Sequence, residues 1–205
     1  RIDQWLFKGK ILVLLGARQV GKSTLCQYLT KNHSPSIYLN CEKVQVKEVL
    51  ESQQIEQIRS YIGPNTFVVL DEAQKIAQIG STLKLIHDTY PDVQIIATGS
   101  SSFDLTNEVT EALTGMNIKF LLLPFSVEEL LLEKGGLWID EHLEDFLRFG
   151  MYPDVVLRTQ QEKMELLDSL ATDYLYRDVL QFEKIKNPEI LIKILKALAL
   201  QLGNQ

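Results

Sequence analysis

Gly16-Ala17-Arg18-Gln19-Val20-Gly21-Lys22-Ser23 constrains this chain more than any other segment. It fits G-x-x-x-x-G-K-[ST] and lies between the apolar run Ile11 to Leu15 and a stretch in which Leu25, Tyr28 and Leu29 are spaced as one helix face. A strand that turns through glycine into a helix can wrap its backbone around an anion, with successive N–H groups pointing inward as a nest. The positive end of the helix then faces the same point. In that arrangement Lys22 would bridge the β- and γ-phosphates of a nucleotide, Ser23 would offer its hydroxyl to Mg²⁺, and Thr24 would add a contact on the α-phosphate side. Gly16, Ala17, Arg18, Gln19, Val20, Gly21, Lys22, Ser23 and Thr24 are therefore the candidate nucleotide-binding residues. The alternative is a glycine turn that merely closes a strand-helix unit.

The surrounding pattern supplies the context. Short β-branched and leucine-rich runs at Lys10 to Leu15, Ser36 to Asn40, Thr66 to Asp71, Val93 to Thr98 and Ile118 to Leu123 alternate with helical stretches at 22–32, 44–62 and 80–90. Such runs suit strands buried on both faces of a parallel sheet. Pro64 and Pro91 precede strands and stop the helices before them. After Pro124 the strand signals end. Ser126 with Glu129 forms a capping box, and helical periodicity continues through 141–149, 160–180 and 188–202, with Asn187 and Pro188 opening the last helix. The fold class expected is α/β, a parallel sheet flanked by helices over residues 1–125, followed by a smaller helical domain over 126–205.

The third strand ends in Asp71 and Glu72. Adjacent side chains at a strand end diverge, so the two carboxylates can do different work: Asp71 on the metal side beside Ser23, and Glu72 as general base for a water aligned with the γ-phosphorus. A second acid favours hydrolysis over phosphoryl transfer to another acceptor. Otherwise Glu72 only caps the turn that follows. The fourth strand opens onto Gly99-Ser100-Ser101-Ser102, where Ser100, with Thr98 second, would sense the γ-phosphate or the attacking water. A serine-rich helix cap is the plainer reading there.

Composition narrows the class. Of 205 residues 45% are hydrophobic, enough for a core, and no apolar stretch approaches the eighteen or so residues of a membrane span. The net charge of -6 disfavours a long nucleic acid on this surface. Cys26 and Cys41 form no C-x-x-C pair and read as reduced thiols of a soluble, cytoplasmic protein; His33, His87 and His142 have no metal-ligand spacing. No secretory signal is visible behind the non-Met start.

The segments GARQVGKSTL, FVVLDEAQKI, IIATGSSSFDL, LLLPFSVEEL and FGMYPDVVL, in this order, resemble a prokaryotic group of AAA-type P-loop ATPases. The resemblance runs along essentially the whole chain. It implies an AAA-like sheet in which the sensor strand lies between the strands bearing the loop and the acid, with ATP and Mg²⁺ as cofactors. It also implies Lys22 and Ser23 as loop residues, Asp71 as the metal-side acid, Glu72 as base and Ser100 as sensor. Adenine rests on this resemblance alone. Relatives carry an arginine after the glycine ahead of the last strand, where this chain has Gly115-Met116. If that arginine neutralises transition-state charge, hydrolysis here is slower or depends on another cation, with Arg18 and Arg177 as replacements. The resemblance also implies a C-terminal winged-helix and nuclease-like region after LALQLGNQ, through which a protein or nucleic-acid partner would act. It leaves both a homo-oligomer and a monomer open. A slow or non-hydrolysing ATP-gated module is the alternative to an ATPase that moves its helical domain.

Overall fold

A computed structural model describes residues 1–100, 112–173 and 188–201. The chain divides into two compact units, Arg1–Pro124 and Phe125–Gln205. In the first, β1 (Ile11–Gly16), β2 (Ser36–Asn40), β3 (Phe67–Asp71), β4 (Gln94–Gly99) and β5 (Asn117–Leu122) form one sheet in the order β2-β3-β4-β1-β5. Every pairing is parallel. The five strands fall within one residue of the runs read from the sequence. The fourth strand does lie between the loop strand and the acidic strand.

Alternation along the strands sorts their side chains into two cores. Ile11, Val13, Leu15, Val68, Leu70, Ile95 and Ala97 face one side, under α2 (Val44–Glu51), α3 (Ile55–Ile62) and α4 (Ile79–Thr89). Leu12, Leu14, Phe67, Val69 and Ile96 face the other and meet Cys26 and Leu29 of α1 (Lys22–Asn32). Strands β1, β3 and β4 are buried along their whole length, which explains why they are predominantly apolar.

Two helical expectations change. The stretch 44–62 is not one helix: Ser52 Oγ donates to Val49 O and accepts the Gln54 N–H, and Gln53 turns left-handed at φ 51°. A serine that bonds its local backbone competes with the helix ladder, and the break lets Val46 and Leu50 and then Ile58 and Ile62 face the sheet. On α1 the buried face runs through Lys22, Cys26 and Leu29, while Tyr28 is exposed.

The second unit contains α5 (Val127–Lys134), α6 (Gly136–Phe149), α7 (Pro153–Val156), α8 (Gln160–Asp173) and α9 (Pro188–Gln201). The capping box is present: Ser126 Oγ accepts the Glu129 N–H at 3.2 Å, and Glu129 Oε2 accepts the Ser126 N–H at 2.9 Å. Helix α6 starts five residues before its expected first residue, at Gly136, and the expected helix over 160–180 is described as far as Asp173. Among the described residues no helix is long and apolar enough to cross a membrane.

Lys163 of α8 is buried and donates to Asp145 Oδ2 of α6 at 2.6 Å, with its ammonium over the Phe149 ring. That hydrogen bond holds the Asp145 carboxyl below its ordinary value. A carboxyl lowered in the folded state contributes stability above its unfolded pKa of about 4, and the contribution is lost as pH falls through the lowered value. Asp145→Ala should therefore destabilise the helical unit by about 1.5–3 kcal/mol at neutral pH, because the Lys163 ammonium loses a charge-assisted hydrogen bond. The difference from the unsubstituted protein in urea unfolding should shrink below about pH 4.

Candidate functional site

The site is assembled at the carboxyl ends of the sheet. β1 ends at Gly16, and its chain passes through Gln19 at φ 60° and Gly21 at φ 97° before α1 begins at Lys22. Gly16 has a separate reason to be glycine: a Cβ there would lie 2.4 Å from Leu122 O in β5. Val20 is buried, Ala17 and Arg18 are half-buried, and Gln19 and Thr24 are exposed. Among the described residues no side chain caps α1, so its first turn faces the loop with backbone N–H groups.

Lys22 is 5% exposed, and its ammonium donates to Gly16 O at 2.9 Å and Ala17 O at 2.8 Å. Burial lowers its pKa, and the charges of Glu72 and Asp71 act in the opposite direction. The loop carbonyls thus hold a desolvated cation at the mouth of the nest.

Asp71, the last residue of β3, is 4% exposed and receives three hydroxyls. Ser23 Oγ donates to Oδ2 at 2.8 Å, Tyr38 OH donates to the same oxygen, and Thr98 Oγ1 donates to Oδ1. Burial first, and the bond to Asp71 next, raise the Tyr38 phenol above its usual pKa, so it stays a donor. Glu72 follows in the left-handed region at φ 56° and ψ 42°, and its N–H donates to Thr98 Oγ1 at 3.1 Å. Gln74 Nε2 donates to Glu72 Oε2, while Gln74 Oε1 is buried with no hydrogen-bond partner among the described residues.

Lys22, Ser23, Asp71 and Glu72 are thus brought to one sheet edge. Ser100 follows the end of β4 and is half-buried; Thr98, ranked second from the sequence, is the hydroxyl that reaches both Asp71 and the Glu72 backbone. Arg18 sits in the loop, where its charge lowers Lys22, and Arg177 lies outside the described residues. Tyr38 and Gln74 were not anticipated. The signal for Tyr38 is its register: Asn40 pairs with Asp71 and Tyr38 with Val69, so residues 38, 40, 69 and 71 share one face. That register becomes usable only once β2 is known to neighbour β3.

Met116 lies away from this chain's own phosphate loop. Its carbonyl accepts the Ile11 N–H, whereas Gly16 pairs with Leu122. Six residues of strand place position 116 roughly 20 Å from the phosphate loop, at the opposite edge of the sheet. A side chain there cannot neutralise charge at this chain's own loop. Met116 packs against the core instead.

Comparison with known proteins agrees with this architecture. The family model described as an AAA domain matches residues 8–131, and one for a domain of unknown function matches residues 140–205. An uncharacterised protein of Methanocaldococcus jannaschii is 28% identical, over 98% of this chain and 48% of its own. One of Haemophilus influenzae is 25% identical, over 94% of this chain and 52% of its own. The chain spans about half the length of these relatives. A solved Walker-type ATPase of Pyrococcus abyssi has a TM-score of 0.55 at 16% identity, covering 89% of this chain and 74% of that one. At that identity the likeness is one of fold.

Gly16→Ala should separate the β1 and β5 backbones and destabilise the α/β unit by about 1–3 kcal/mol. A lowered midpoint in thermal unfolding is the expected result. An unchanged midpoint would mean the strands approach less closely than described.

Proposed function

Because this chain belongs to the AAA-domain family, whose model matches residues 8–131, we propose that its α/β unit binds Mg²⁺-ATP at the loop Gly16 to Thr24 and hydrolyses it. The observation that carries the reading is the pairing of a buried Lys22 ammonium, held only by loop carbonyls among its described partners, with Ser23 and Asp71 oxygens 2.8 Å apart. Two hard oxygen donors suit Mg²⁺, and a cation already desolvated beside backbone N–H groups suits phosphate. Bound Mg²⁺ would supply charge neutralisation to the β- and γ-phosphates.

The chain's own residues do the rest. Lys22 moves its hydrogen bonds from Gly16 and Ala17 carbonyls to phosphate oxygens. Ser23 and Asp71 hold the cation. Glu72 takes a proton from the attacking water, whose oxygen bonds to the γ-phosphorus as the bond from that phosphorus to the ADP oxygen breaks. Ser100, beside Thr98, would report the γ-phosphate. Movement of the helical unit is the output we assign. The cytoplasm, a homo-oligomeric assembly and a protein or nucleic-acid partner are expectations for the whole protein.

A second reading has its own support. The Gln74 amide occupies a Glu72 carboxylate oxygen, which favours a slow or non-hydrolysing ATP-gated module. Lys22→Ala should abolish Mg²⁺-ATP binding in calorimetry; retained affinity would remove the loop from the mechanism. Glu72→Gln should bind normally and lose about two to four orders of magnitude in phosphate release. Wild-type protein that binds ATP without steady phosphate release would establish the module instead.

A further inference from the structure

Strand β3 runs between β2 and β4, and each neighbour sends one hydroxyl to the carboxylate at its end. Thr98 of β4 takes Oδ1, and Tyr38 of β2 takes Oδ2. One hydrogen bond leaves a carboxylate able to rotate about its last torsion; bonds to both oxygens from opposite sides fix its plane. Ser23 also reaches Oδ2. In the reading proposed above, however, that hydroxyl turns toward a divalent cation when nucleotide binds. Tyr38 then remains the donor to Oδ2 among those described. Asn40, which lies level with Asp71, uses its Oδ1 to accept the Glu42 N–H at 2.8 Å.

We propose that Tyr38 is a positioning residue that orients Asp71 and thereby sets the affinity of the site for the divalent cation taken up with nucleotide. The inference rests on the nucleotide-binding reading. Groups that orient a metal-side ligand through a hydrogen bond change metal affinity by about 10- to 100-fold when removed. The phenyl ring is not the active part: it packs against the core beneath α1, and phenylalanine would keep that packing.

The test measures binding of a fluorescent ATP analogue to the whole chain, in EDTA and across a Mg²⁺ titration, for wild type and Tyr38→Phe. The Mg²⁺ concentration for half-maximal enhancement should rise about 10- to 100-fold. Affinity in EDTA should remain at the wild-type value, while the melting temperature should fall modestly with the loss of one hydrogen bond to a buried charge. In an Asp71→Asn background the same substitution should cause no further rise. An unchanged Mg²⁺ requirement, a lower one, or an equal rise in both backgrounds would each overturn the assignment. Wild-type protein that fails to bind the analogue under either condition overturns the nucleotide reading itself, and the Tyr38 proposal with it.

Discussion

A carboxylate buried at the end of a central strand must be solvated by protein, because an ionised acid left without partners in the interior is too costly to keep. Asp71 meets this requirement with hydroxyls from three elements: Ser23 at the head of α1, Tyr38 on β2 and Thr98 on β4. Each donor places a demand on topology. β3 must have β2 on one side and β4 on the other, and the helix after β1 must begin within reach of its end. The strand order β2-β3-β4-β1-β5 satisfies these demands together. The polar knot and the apolar sheet are two expressions of one arrangement.

The same edge concentrates opposite charges. Burial disfavours the Lys22 ammonium, and Glu72 and Asp71 offset that cost from the acidic strand. The lysine and the acids are far apart in sequence, yet the acids moderate the desolvation of the lysine. Close approach of β5 to the end of β1 is possible because Gly16 has no side chain, so one residue serves both the loop turn and the sheet.

The strands were legible because three of them are buried on both faces and centre on the apolar runs Ile11 to Leu15, Phe67 to Leu70 and Ile95 to Ala97. The phosphate-loop pattern was legible because its spacing is local: glycine, glycine, lysine and serine lie within eight residues. Features that depend on which strands become neighbours were not. Tyr38 enters the site only through the β2-β3 register, and Met116 leaves it because parallel strands put the start of β5 at the far edge. Thr98 reaches Asp71 because it lies within β4, which flanks the acidic strand. The break at Ser52 was hidden for another reason: apolar periodicity continues through 44–62, and only local hydrogen bonds interrupt it.

Glu72 occupies a left-handed backbone position that glycine or asparagine would adopt at lower cost, by an energy of order 1–3 kcal/mol. Thermostability alone would therefore favour replacing it. A selection or redesign scored on folding would enrich Glu72→Gly or Glu72→Asn and discard the carboxylate with them. In the same left-handed turn the Glu72 N–H donates to Thr98. In the proposed mechanism stability and chemistry are thus opposed at this residue, and the glutamate is where that opposition can be measured.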